Sequence, residues 1–282
     1  MAKETAAILG GKGMLGTDLA DICEQQGFEV KVCDLPEFDI TDSDQLMQVT
    51  RAAGTIVNCA AYTDVDGAES EPKLAYQVNA AAVGRLGAMA KEANAWLLHI
   101  STDFVFDGKL DRPYVETDTP NPINEYGKTK LAGERLLVES GCAHCIMRVE
   151  WTYGWHGNNF VTKLIERAKA GNALKVVDDQ IGSPTATVEV AKVICELLRR
   201  KPQGIFHFAS VGYVSRYEMA KFMFDKLSMD VDLSPCKTGD YVCAAARPLN
   251  SRFDCSKIKA LLNEQIESWQ GPLERFLRGL FC

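Results

Sequence analysis

The sequence predicts an α/β protein, a doubly wound parallel sheet followed by a smaller, mainly helical C-terminal unit. Three observations predict it. Short apolar runs alternate with longer segments of helical period through the first half of the chain. A glycine-rich turn, Gly10-Gly11-Lys12-Gly13-Met14-Leu15-Gly16, separates the first apolar run from the first helical segment. A carboxylate, Asp34, ends the next apolar run about 20 residues further on.

Composition bounds the function. At 282 residues, 46% of them hydrophobic and 24% charged, the chain has material for one large core or for a large and a small one. A net charge of −7 opposes binding to nucleic acid or to an acidic membrane, because long-range repulsion works against the phosphate attraction on which such binding depends. No apolar run approaches the roughly 20 residues of a membrane span, and Met1 to Gly10 lacks the hydrophobic segment of a signal peptide. A cytoplasmic protein is expected. The ten cysteines are scattered, mostly in apolar contexts such as Cys33, Cys59 and Cys195, which reads as free buried thiols. Cys142-Ala143-His144-Cys145 has no second ligand pair, and no metal site is expected.

Thr5 to Leu9 reads as a strand, and Leu15, Leu19, Ile22 and Cys23 share one face of the following helix. The turn between them satisfies G-x-x-G-x-x-G from Gly10 and G-x-G-x-x-G from Gly11. In either frame backbone N–H groups approach a pyrophosphate at the helix N-terminus, where the dipole favours negative charge. Gly10, Gly13, Met14, Leu15 and Gly16 are therefore expected to hold a dinucleotide. Lys12 is not followed by Ser or Thr, which excludes a Walker A loop. The strand Glu29 to Cys33 delivers Asp34 where a ribose-binding carboxylate is expected, and no arginine follows it to receive a 2′-phosphate. Charge thus favours NADH within the NAD(P)H class. Asp39 and Ile40 are expected to border the adenine, with Thr41 or Asp42 capping the next helix.

Thr55 to Ala60 is a buried strand that opens into Ala61 and Tyr62, placing Ala60, Ala61 and Tyr62 at a strand's carboxyl end, where open α/β sheets bind ligands. A long helical pattern from Pro72 to Asn94 follows. Trp96 to Ile100 is the next strand, ending in Ser101-Thr102-Asp103-Phe104, whose hydroxyls point into the same crevice. After Pro120-Asn121-Pro122, Tyr126 begins a helix that carries Lys130 four residues later on the same face. A phenol titrates at about 10 when free, and a neighbouring ammonium makes it a usable proton donor. Cys145 to Arg148 gives a further strand. In the second half, Leu174 to Val177 and Ile205 to Ala209 read as strands and Val188 to Leu198 as a helix. From Ser215 the pattern is mainly helical, ending in an amphipathic stretch from Leu273 to Leu280. The expected division is a Rossmann unit at 1–147 with returning pieces near 173–212, and a substrate unit from 148–172 and 213–282.

Further motifs occur in order along the chain: Ala60-Ala61-Tyr62-Thr63, Ser101-Thr102-Asp103-Phe104-Val105-Phe106-Asp107-Gly108, Tyr126-Gly127-Lys128-Thr129-Lys130, Trp151 with Tyr153-Gly154, Gly182-Ser183-Pro184-Thr185, and Arg247-Pro248. Together with the glycine turn they resemble the extended short-chain dehydrogenase/reductases, and within them the group that reduces dTDP-4-dehydrorhamnose to dTDP-L-rhamnose. The resemblance implies an NAD(P)H-dependent oxidoreductase acting on a nucleotide-sugar substrate, in a family often found as homodimers. It implies that Thr102 hydrogen-bonds the sugar carbonyl, Tyr126 protonates its oxygen, and Lys130 binds the nicotinamide ribose and lowers the tyrosine's pKa. Asp103, Phe104 and Trp151 are implied to border the sugar, and Arg247 to meet the diphosphate. Glu150 departs from the family pattern, which places a small residue before the tryptophan, and a carboxylate there would bear on which sugar is accepted. Two alternatives stay open. One is another nucleotide-sugar enzyme of the same fold, an epimerase or a dehydratase, although Asp103-Phe104 lacks the Asp-Glu pair usual in dehydratases. The other is a dinucleotide-binding regulatory subunit of the kind that partners methionine adenosyltransferase.

Overall fold

The computed structural model describes residues 5–240, 242–263 and 265–280. The first unit runs β1 (Thr5–Leu9), α1 (Met14–Gln25), β2 (Glu29–Cys33), α2 (Ser43–Ala52), β3 (Thr55–Asn58), α3 (Gly67–Ser70), α4 (Pro72–Tyr76), α5 (Ala82–Glu92), β4 (Trp96–Thr102), α6 (Glu125–Ser140) and β5 (His144–Val149). Then follow β6 (Thr152–Tyr153), α7 (Phe160–Lys169), β7 (Leu174–Val177), β8 (Ile181–Gly182), β9 (Thr185–Ala186), α8 (Thr187–Arg200) and β10 (Gly204–Phe208). The chain ends with β11 (Val214–Ser215), α9 (Arg216–Leu227), β12 (Leu233–Cys236), α10 (Ser256–Leu262) and α11 (Gln270–Gly279).

Six strands form one parallel sheet in the order β10-β5-β4-β3-β1-β2. Helices cover both faces, so β1, β3, β4 and β5 are buried nearly throughout and read as unbroken apolar runs. On one face Leu19 and Cys23 of α1 pack with Ile194 and Leu198 of α8, and on the other Leu46 and Val49 of α2 pack with Val83 and Leu86 of α5 and Leu137 of α6. The chain passes from β1 to β2 on one side and then to β3 on the other, so the order reverses beside β1. A crevice opens at the carboxyl ends of β1 and β3 for that reason.

A second core gathers Val161 and Leu164 of α7, Leu174 and Val176 of β7, Met219 and Met223 of α9, and Leu273 and Phe276 of α11. Strand β7 pairs with β12 rather than with the large sheet, and it is α8 and β10 that rejoin the first unit.

The helix expected over Pro72–Asn94 is interrupted. Between α4 and α5, Gln77–Ala81 forms a π-helical turn that turns Asn79 into the protein, where it is fully buried. Its Oδ1 accepts from Tyr62 N at 2.8 Å, and its Nδ2 donates to Tyr62 O and Thr129 Oγ1 at 3.1 Å each. The bulge thus fixes the loop after β3 against α6. Helix α6 begins one residue before Tyr126, because the Asn124 side chain accepts from Gly127 N at 2.7 Å and closes the helix start.

Candidate active site

A cleft of about 820 Å³ runs along the carboxyl ends of the central strands. Gly10, Gly13, Met14, Leu15, Gly16, Asp34, Asp39, Ile40, Ala60, Ala61 and Tyr62 line one end, and Thr102, Asp103, Phe104, Tyr126, Lys130 and Trp151 line the other. Arg247 is not among the lining residues. Its guanidinium forms a forked pair with the Asp66 carboxylate, at 2.6 and 3.0 Å.

The glycine turn resolves to the frame Gly10, Gly13, Gly16. Gly10 has φ +72°, and a Cβ there would run into the backbone of Ala60. A Cβ on Gly16 would collide with the Gly10 carbonyl, so α1 sits directly on the turn. Gly13 is the N-cap of α1. It offers no side-chain acceptor to the first amides, and no acidic residue stands in the first turn. A helix N-terminus of this kind, opening on the cleft, suits a pyrophosphate. Among the adenine-side candidates, Asp39 Oδ1 accepts from Thr41 N at 2.8 Å, while Asp42 caps α2 through Asp44 N and Gln45 N.

Asp34 sits at the end of β2 with both oxygens engaged. Oδ2 accepts from Lys12 N at 2.7 Å and Oδ1 from Leu35 N at 2.8 Å. The Lys12 ammonium lies alongside, donating to Leu35 O at 3.2 Å and to Glu37 Oε2 at 2.6 Å. No arginine follows Asp34 in the sequence, but the fold brings the Lys12 ammonium beside this strand end from the glycine turn, 22 residues earlier.

At the other end, α6 carries Tyr126 edge-on to Phe104, with ring centroids 5.5 Å apart. Loss of solvent pushes the Tyr126 phenol up to about 12, and the nearby Asp103 carboxylate adds to this while a hydrogen bond with Thr102 opposes it. Lys130 is buried, and that burial pushes it down to about 8 against the opposing pull of Glu134 and Cys59. Its Nζ donates to Ile100 O at 2.7 Å and lies 3.4 Å from His99 Nε2. Desolvation dominates both groups and moves them in opposite directions, Tyr126 up and Lys130 down. Thr102 donates to Asp103 Oδ1 at 3.0 Å and accepts from Phe104 N at 3.2 Å, so its hydroxyl caps its own loop while facing the cleft. Asp103 is buried, hydrogen-bonded to Ser251 Oγ as well, and its pKa is raised by that burial.

Glu150 does not line the cleft. It is 1% exposed, with Oε2 accepting from Ser183 N at 2.9 Å and Oε1 from Phe253 N at 3.2 Å. Burial holds its carboxyl well above the usual range. It ties two returning segments together and has no access to a sugar.

An arginine also stands at this end, Arg216 at the start of α9. Its guanidinium lies over the Trp151 ring, 3.5 Å from the centroid, and over Phe160 at 4.7 Å. Burial pushes it down to about 10, against the pull of Asp103 and Glu150. Helix periodicity gave no sign of it: Arg216 directly follows β11, which pairs with the distant β8.

Residues 5–281 match the model of the RmlD substrate binding domain family. A dTDP-4-dehydrorhamnose reductase from Aggregatibacter actinomycetemcomitans is 39% identical over 282 residues, covering 95% of this chain and 96% of the relative. A dTDP-4-keto-6-deoxy-D-glucose reductase from Streptomyces niveus is 38% identical over 229 residues, covering 79% of this chain and 78% of its own. The crystal structure of dTDP-4-dehydrorhamnose reductase from Bacillus anthracis in complex with NADP superposes with a TM-score of 0.94 at 36% identity, over 99% of this chain and 100% of that one. With a match that spans nearly every residue and a fold shared throughout, the chain belongs to the RmlD substrate binding domain family.

Proposed function

We propose that the protein is a nicotinamide-dependent reductase of the 4-keto group of a nucleotide-linked 6-deoxysugar, converting dTDP-4-dehydrorhamnose to dTDP-L-rhamnose. One observation carries this reading. Thr102, Tyr126 and Lys130 line one end of a single cleft whose other end is the glycine turn and Asp34. A ketone reduction needs a hydride donor on one side of the carbonyl and a proton donor about 3 Å from the developing oxyanion.

The residues present fit a dinucleotide. The N-terminus of α1 would hold the pyrophosphate, Asp34 the adenosine ribose, and Tyr126 and Lys130 the nicotinamide ribose. When bound, the reduced cofactor supplies the hydride that goes to C4. Asp34 alone would favour NADH; with the Lys12 ammonium beside it, and NADP held by the Bacillus anthracis relative, NADPH is accepted as well. Tyr126 gives its proton to the carbonyl oxygen. Thr102 turns its hydroxyl from Asp103 to that oxygen, and Phe104 and Trp151 border the sugar. Arg216, rather than Arg247, meets the diphosphate, because among the described residues it is the arginine that lines this end of the cleft.

The test is to incubate the protein with dTDP-4-dehydrorhamnose and either NADH or NADPH while following nicotinamide absorbance. Stoichiometric oxidation is expected. Loss of the keto sugar without oxidation would point to an epimerase, and no turnover with either cofactor would sink the reading. The diastereomeric dTDP-4-keto-6-deoxy-D-glucose serves as the second substrate, since one relative is named for it. A cytoplasmic homodimer completes the proposal, tested by fractionation and by light scattering.

A further inference from the structure

Behind Lys130, away from the cleft, stand two buried polar side chains that the reaction above does not use. Asn58, at the end of β3, and His99, in the middle of β4, are both fully buried. Asn58 Oδ1 accepts from Ala60 N at 3.1 Å, which fixes the direction of its amide. Its Nδ2 then faces His99 Nδ1 at 3.1 Å, so that ring nitrogen must be the acceptor. A neutral imidazole with a bare Nδ1 carries its proton on Nε2. That Nε2–H points at Lys130 Nζ, 3.4 Å away.

The consequence is a matter of donors and acceptors. An ammonium has three donors and no acceptor, so a charged Lys130 would meet the His99 N–H donor against donor. A neutral amine has a lone pair for it, still donates to Ile100 O, and keeps one N–H for the cleft. We propose that Asn58 locks His99 in the Nε2–H tautomer, and that this N–H favours the neutral amine of Lys130. Asn58 and His99 are positioning residues in this scheme. They lower the pH at which Lys130 gives up its proton, and acceptors in the cleft work against the N–H behind it.

The other groups facing this pair do not reverse it. Lys130 is faced by Cys59 from the loop after β3 and by Glu134 from its own helix, both favouring the charged form, yet its burial prevails. His99 is faced by Lys130 and by His144 on β5, and both oppose its protonation, as does its burial. A ring kept neutral is what the lock requires.

The role rests on the reductase reading, but its test is read on the ligand-free protein and is independent of turnover. With four histidines in the chain, the ring ¹⁵N resonances are readily assigned. His99 is expected to show a bare Nδ1 and a protonated Nε2; a bare Nε2 overturns the proposal. In parallel, the ¹³Cε resonance of Lys130, identified by its loss in Lys130→Arg, is titrated in wild type and in His99→Leu. Removing the N–H should raise the lysine midpoint by about one pH unit, tenfold in protonated fraction. Burial alone predicts the opposite sign, because leucine is the more apolar neighbour, so a midpoint that falls or stays overturns the proposal. If His99→Leu does not fold, the wild-type tautomer decides the matter by itself.

Discussion

The guanidinium of Arg216 lies over the indole of Trp151, with 3.5 Å between its central carbon and the ring centroid. The stack holds a half-buried cation at the end of the cleft where the proposed substrate would bring its diphosphate. Charge-assisted hydrogen bonds contribute about 1.5–3 kcal/mol each. Arg216→Ala is therefore expected to raise KM for the nucleotide sugar by about 10- to 100-fold, from the same figure, with a smaller change in kcat. Arg247→Ala, outside the cleft, should leave KM within about threefold. Steady-state kinetics on the two variants decides between the arginines.

Arg247 has a structural task instead. Its pair with Asp66, joined by the hydrogen bonds from Ala245 N to Asp66 and from Asn124 Nδ2 to Ala246 O, fastens the 245–247 segment to the loop before α3 and to the cap of α6. Asp66 is nearly half exposed, so solvent screening limits the pair to about 1 kcal/mol or less. The guanidinium holds the Asp66 carboxyl below its ordinary value. A lowered folded-state pKa gives stability that is present above the unfolded value, near 3.9, and lost as pH falls through the folded one. Asp66→Asn should accordingly lower Tm slightly at pH 7 and have less effect at pH 3, as measured by thermal melts at both.

Glu134 and Arg148 form a forked pair at 2.6 and 2.9 Å, each side chain no more than 3% exposed, and Ser101 donates to the same carboxylate at 2.5 Å. Removing one partner leaves a buried charge uncompensated, at a cost of about 3–5 kcal/mol. Glu134→Ala is expected to destabilise by that amount in urea melts. A smaller effect, under about 1 kcal/mol, would mean water reaches Arg148.

Glu37 pairs with the Lys12 ammonium, which in the proposed site would meet the 2′-phosphate of NADPH. Lys12→Ala should reduce kcat/KM for NADPH by about tenfold and leave NADH nearly unchanged, since only the phosphate needs the cation. Glu37→Gln frees Lys12 and should shift preference toward NADPH. Equal losses with both cofactors in Lys12→Ala would show the lysine to be a support for the turn alone.

What was legible in the sequence is what spacing along one chain segment encodes. Gly10, Gly13 and Gly16 lie within one turn, Asp34 follows one strand later, and Tyr126 and Lys130 share a helix face, so local period was enough to bring each near the cleft. The strands of the large sheet were legible for a similar reason, because burial on both faces leaves unbroken apolar runs. Arg216 and Lys12 were missed because their positions depend on contacts between distant segments: α9 folding back on Trp151, and the glycine turn reaching the end of β2. Glu150 read as bearing on which sugar is accepted, since its sequence position fixes its backbone but not the direction of its side chain. The π turn at Asn79 left no periodic signature, because one extra residue is absorbed without a glycine or proline to mark it.

In the proposed reaction Tyr126 is the proton donor. Tyr126→Phe removes one hydroxyl and keeps the ring that packs against Phe104. In a single assay with dTDP-4-dehydrorhamnose and reduced cofactor, kcat should fall by about 100-fold or more, while binding of the dinucleotide, followed by fluorescence titration, changes little. Full activity in Tyr126→Phe would contradict the assignment of the proton donor and of the site built around it.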